Sequence, residues 1–137
     1  MFTQIKSSAA NKLLITELTR KFGLGAENII ARIALAYSLH SGVKMNPLDV
    51  KDSGGKEYSK YVLFGNLYSC YLYALCTHYN IPDTNRDIPR LFKMHLDHGL
   101  EMIAEEVRIN PNLIGFDFLF DKINIGLSEI CSQTLIS

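Results

Sequence analysis

Three groups of residues in this 137-residue sequence have types and spacing that could do chemistry. The first is His95, Asp97 and His98. Histidines three apart share one side of a helix and could hold a metal. A zincin needs histidines four apart with a catalytic glutamate between them, and that pattern is missing. His78 is the other histidine of the later chain, and nothing in the sequence brings it to the pair. Polar packing near Gly99 is therefore the reading, with no metal and no cofactor. The second group, Ser53-Gly54-Gly55-Lys56, precedes a predicted helix, where backbone N–H groups and a lysine could cradle a phosphate. Val50 stands where a P-loop needs glycine, and Glu57 where it needs Ser or Thr for magnesium. A flexible turn entering a helix and a nucleic-acid phosphate site are the two readings left. The third group is basic. Lys12 and Arg20, with Thr16 and Thr19, form one helix face of phosphate-contacting types, and Lys44, Lys51, Lys56 and Lys60 cluster in or beside one long loop. A purely solubilising role is the plainer account of them.

No Gly-x-Ser-x-Gly or other nucleophile motif occurs, and Glu101, Glu105 and Glu106 read as a solvated helix face. Cys70, Cys76 and Cys131 are odd in number, lack Cys-x-x-Cys spacing and stand in apolar company, so buried, inert thiols in a reducing cytoplasm are expected. Nothing in these residues argues for an enzyme.

The elements that must position these groups can be read from periodicity. Residues 2–6 suit a short strand, followed by Ser7-Ser8 as a helix N-cap pair. Between Ala9 and Phe22 the residues Leu14, Ile15, Leu18 and Phe22 fall on one side of a helix, opposite Lys12, Thr16, Thr19 and Arg20. Gly23 suits the left-handed residue that closes it, with Leu24 as the apolar contact behind. A second helix begins with Glu27 in its first turn, buries Ile29, Ile30, Ile33, Ala34 and Tyr37, and stops at Gly42. Residues 43–57 read as an exposed loop. Tyr58 to Tyr79 is predicted as one largely buried central helix, and Arg86 to Val107 as a fourth, ended by Asn110-Pro111-Asn112. The type of the tail 113–137 stays open, because Leu113 to Phe120 fits either a buried strand or a packed helical turn. The expected fold is mainly α: a short N-terminal strand, a helix-helix pair resembling a ribbon-helix-helix unit, two further long helices and an undecided tail.

A 47% hydrophobic, 20% charged chain of this length suits one compact domain. No run is long enough for a membrane span, and the start lacks the apolar core of a signal peptide. The formal net charge of zero hides a gradient. Residues 1–44 carry Lys6, Lys12, Arg20, Lys21, Arg32 and Lys44 against Glu17 and Glu27, a net +4, and residues 83–137 carry a net −4. A basic third can bind an anion although the whole molecule is neutral.

Three blocks, Leu18 to Leu39, Gly55 to Gly65 and His95 to Glu101, occur in an order and spacing that resembles the DndE family, small subunits of bacterial DNA phosphorothioation systems. The resemblance covers roughly residues 1–107, so 113–137 is expected as a C-terminal extension of a single DndE-like domain over 1–137. It implies a non-catalytic protein that binds duplex DNA, with a suggested preference for nicked duplex. Its partners would be a cysteine desulfurase, a sulfur-transfer enzyme and an ATPase. It also implies a homo-tetramer, which would gather four basic thirds, about +16, on one surface. The residues assigned to DNA are Lys6, Lys12, Arg20, Lys21, Lys44, Lys56 and Lys60. Gly23 and Gly25 are assigned to the subunit contact, although turn chemistry alone also explains them. Two other functions compete: a ribbon-helix-helix repressor reading bases through Gln4 and Lys6, and a protein-interaction adaptor that does not bind DNA.

Overall fold

The computed structural model describes residues 2–136, with side chains through Ser132. Strand β1 (Gln4–Lys6) leads into α1 (Ala9–Phe22) and α2 (Glu27–His40). Then follow β2 (Glu57–Ser59), α3 (Lys60–Phe64), α4 (Tyr68–Tyr79), α5 (Ile88–Ile109) and α6 (Gly115–Ile136). The molecule is mainly helical, as the periodicity requires.

Helix α1 begins and ends where its residues predict. Ser8 has the extended backbone of an N-cap, and Gly23, at φ 63°, closes the helix by donating its N–H to the Thr19 carbonyl. The capping chemistry differs from expectation, because the Ser8 side chain makes no capping bond. The Ala9 N–H donates instead to Asp52 at 2.9 Å, and the Ser8 N–H to Asp97 at 3.0 Å. Carboxylates from distant segments thus satisfy the electropositive helix start. Asp97 also accepts from Asn11 at 2.8 Å and meets Lys93 at 2.9 Å, which fastens α1 to α5.

The stretch 43–57 is mostly exposed, with one turn of 3-10 helix at Pro47–Asp49, but it ends in a strand that was not expected. β2 pairs antiparallel with β1, placing Gln4 opposite Ser59, Ile5 opposite Tyr58 and Lys6 opposite Glu57. Ile5 and Tyr58 are buried, and β1 packs on α5. Three-residue strands are too short for alternation to announce them.

The predicted single helix from Tyr58 to Tyr79 is corrected on two counts. It is broken at Gly65, whose φ of 57° and ψ of −133° lie outside the helical region. Arg32 of α2 reaches into the break, donating to the Leu63 carbonyl at 2.6 Å and the Val62 carbonyl at 3.1 Å, so the carbonyls left at the end of α3 are satisfied from another helix. Nor is the segment central. In α4 only Leu75 is fully buried, and Tyr73 is exposed.

The centre is the pair α2 and α5. Ile30, Ala31, Ala34 and Leu35 pack against Leu91, Phe92, Leu96, Leu100 and Ile103. Of the face expected on α2, Ile30 and Ala34 are buried, while Ile29, Ile33 and Tyr37 lie half-buried along its edges. A Cβ on Gly99 would stand 1.8 Å from the Ala34 carbonyl oxygen, so the two backbones touch there. The undecided tail is a helix. Phe118 of α6 is buried, with ring centroids 5.3 Å from Phe22 and 5.7 Å from Tyr37, and Lys122 meets Glu106 at 2.6 Å. The cysteines depart from expectation: Cys70 and Cys131 are exposed, and only Cys76 is half-buried. No helix among the described residues is long and apolar enough to cross a membrane.

Candidate nucleic-acid interface

The amphipathic spacing that buries Ile15, Leu18 and Phe22 leaves Lys12, Thr16 and Arg20 exposed at intervals of four. Those three therefore follow one another along the outer face of α1. Thr16 donates to Glu27 at 3.0 Å, and Lys56 meets the other oxygen of Glu27 at 3.3 Å. The start of α2 thereby brings Lys56 alongside the α1 face, although the two are 44 residues from Lys12 to Lys56 along the chain. Thr19, expected on this face, is half-buried and donates back to the Ile15 carbonyl at 2.7 Å.

The other basic residues are placed differently. Lys6 is exposed on β1. Lys21 donates to the Pro111 carbonyl and so ties the end of α1 to the turn before α6. Lys60 lies over the Tyr68 ring at 3.9 Å and near Phe2 at 5.4 Å, in cation–π geometry. Lys44 opens on a cavity of about 260 Å³ that it lines with Met45, Asp49, Lys51, His98 and Glu101. Lys51 is bound to Glu101 there. With acids and bases alternating around it, this cavity selects neither charge.

The proposed phosphate cradle is corrected. Ser53–Lys56 leads into a strand, not a helix, and its N–H groups are taken: Gly54 donates to Asp52 at 3.0 Å, Gly55 to the Ser7 carbonyl at 3.0 Å, and Lys56 to the Ser7 hydroxyl at 2.9 Å. The segment is a clasp on the β1–α1 junction.

The histidine group forms a hydrogen-bond chain. Tyr79 accepts the Met45 N–H at 2.8 Å and donates to His95 Nε2 at 2.6 Å. The Nδ1 proton of His95 then points to Ser38 at 2.8 Å, and Ser38 donates to His98 Nδ1 at 2.7 Å. Burial, with lesser contributions from His78 and His98, lowers the His95 pKa to about 4, which keeps the ring neutral. Burial likewise lowers His98. Ser38 has no room for a substrate, being fully buried. Among the described residues no group of three or more His, Cys, Asp or Glu could hold a metal ion.

Gly23 and Gly25 are both exposed, with φ of 63° and 123°. No neighbour lies within 4 Å of a Cβ built on Gly23. The sequence reading missed Arg32, Asp52 and Ser38, whose roles rest on groups 30 or more residues away and leave no local signal.

Comparison with known proteins places this architecture. The family model described as DNA sulphur modification protein DndE matches residues 4–111. A crystal structure of DndE from Escherichia coli B7A involved in DNA phosphorothioation modification is similar at 17% identity and TM-score 0.61, covering 75% of this chain and 98% of that one. A DndE mutant with two glycines replaced by lysine, also described as involved in DNA phosphorothioation, is similar at 19% identity and TM-score 0.63 over the same shares. No curated protein matches.

Proposed function

Since the chain belongs to the DndE family of DNA sulphur modification proteins, we propose that it is a DNA-binding subunit of a phosphorothioation system, acting by positioning and not by catalysis. Duplex DNA, intact or nicked, would lie along α1 and be held by its backbone. The supporting observation is the α1 face, where Lys12, Thr16 and Arg20 stand exposed in a row with Lys56 drawn alongside. Lys6, Lys21, Lys44 and Lys60 complete the assignment as outlying contacts. Copies of the chain would meet at the Gly23–Gly25 corner, which is exposed and at Gly23 leaves open space beside the backbone. A sulfur-transfer enzyme and an ATPase are the proposed protein partners. The pairing of β1 with β2 and its packing on α5 build that strand into the chain's own fold, which favours backbone binding over a ribbon-helix-helix reading of bases.

Fluorescence anisotropy on intact, nicked and single-stranded DNA of arbitrary sequence, across a range of salt, tests this. Lys12→Glu with Arg20→Glu should lower duplex affinity at least tenfold and reduce the slope of log affinity against log salt by about 2, because each lost phosphate contact removes about 0.9. An unchanged affinity and slope would remove α1 from the interface. No binding by the native protein at low salt would transfer the function to protein contacts.

A further inference from the structure

We propose that α6 pairs antiparallel with α6 of a second copy of this chain. The family match stops at residue 111, and α6 begins at Gly115. One face of α6, through Gly115, Phe118, Leu119, Lys122 and Gly126, rests on the chain's own body. A separate face carries Phe116, Phe120, Ile123 and Leu127, which are 72, 69, 58 and 54% exposed, with Ile123 at the edge where it also lines a hollow against Tyr37 and His40 of α2. Their spacing of four, three and four is the 3.5-residue repeat by which two helices interlock, and Ile130 continues it. A helix covered only by its own domain needs one apolar face, and this one has two.

The occupant follows from size, charge and support. The four side chains offer on the order of 500 Å² per copy, towards the upper end of what a monomer ordinarily exposes in one apolar patch, and about 1,000 Å² for a pair, the least that a specific interface needs. The large rings stand at the first half of the seam and the smaller chains at the second. Antiparallel pairing centred between Ile123 and Asn124 sets each Phe120 against a Leu127 and gives a seam of even width, whereas parallel pairing sets ring against ring. Asp121 and Glu129 turn away from the seam, and Asp117 flanks only its first turn, far from its own counterpart in an antiparallel pair, so two copies approach without like-charge repulsion. Beyond Gly126 contact with the body thins: Leu127, Ser128, Glu129, Cys131 and Ser132 are exposed, and Glu129 meets an exposed His40 of α2 at 3.6 Å. A helix end held by so few contacts frays readily in water, and a second helix would hold it.

Light scattering on the full chain tests the pairing. Phe120→Glu with Leu127→Glu should halve the native mass while circular dichroism and melting temperature stay near native, showing that the body still folds. Orientation is read by oxidation in a Cys70→Ser, Cys131→Ser background. Phe120→Cys and Leu127→Cys chains should cross-link when mixed and not separately. A native protein that is monomeric at about 100 µM, or a folded double variant of unchanged mass, would overturn the proposal. Self-cross-linking by each cysteine variant alone would overturn the antiparallel form. Mass halving in the variant together with no DNA binding by the native protein would instead count against the α1 interface alone.

Discussion

His95 shows what a single buried residue contributes. Its ring is fully buried between Tyr79 and Ser38, and its pKa of about 4 lies below the value near 6.5 that an unfolded chain restores. Protonation therefore favours the unfolded chain. The stabilisation is fully present above about pH 6.5 and is lost progressively as pH falls towards 4, amounting to on the order of 3 kcal/mol. Thermal melts between pH 7.5 and 4.5 should show a falling Tm across that window, and His95→Gln should lower stability at pH 7.5 while flattening the acid slope. The sequence made this histidine legible as polar packing on an apolar face. It did not reveal Ser38, since a serine inside a helix becomes a hydrogen-bond hub only when another helix delivers its partners.

At the scale of elements, the decisive contact is α2 against α5. Gly99 stands where the α5 backbone meets the Ala34 carbonyl, and a methyl group at 1.8 Å from that oxygen would force the helices apart. Gly99→Ala, neutral or better on helix propensity alone, should therefore destabilise the protein by about 2 to 3 kcal/mol, measured by urea denaturation. Stabilisation by that substitution would mean that the crossing is looser than the backbone contact requires. Gly23 was legible because a helix end has local chemistry. The break at Gly65 was not, because the Arg32 guanidinium that completes it comes from α2.

For the whole molecule, burial is concentrated in α2 and α5, with α1 and the β1–β2 pair laid over them and α4 on the outside. Hydrogen exchange followed by mass spectrometry should find the slowest amides in α2 and α5 and faster exchange in α4, whose fully buried contribution is Leu75 alone. Equal protection of α4 and α5 would contradict that ordering and point to a cover over Tyr73 and its neighbours. The charge gradient belongs to this scale as well. A net-zero chain can present a basic α1 face because its acids concentrate after residue 83.

By itself the sequence determined the mainly helical class, the bounds of α1 and α2, the left-handed turn at Gly23 and the family resemblance. These follow from periodicity and capping, which act within a few residues, and from motif blocks read in order. Tertiary structure alone decided that Tyr58–Tyr79 divides into a strand and two helices, that Asp52 and Asp97 cap α1, and that Ser53–Lys56 spends its N–H groups on Ser7. It also decided that Lys56 joins the α1 face while Lys44 opens on a mixed-charge cavity. Each of these depends on a partner remote in sequence, and an apolar side chain of itself does not say which neighbour will bury it.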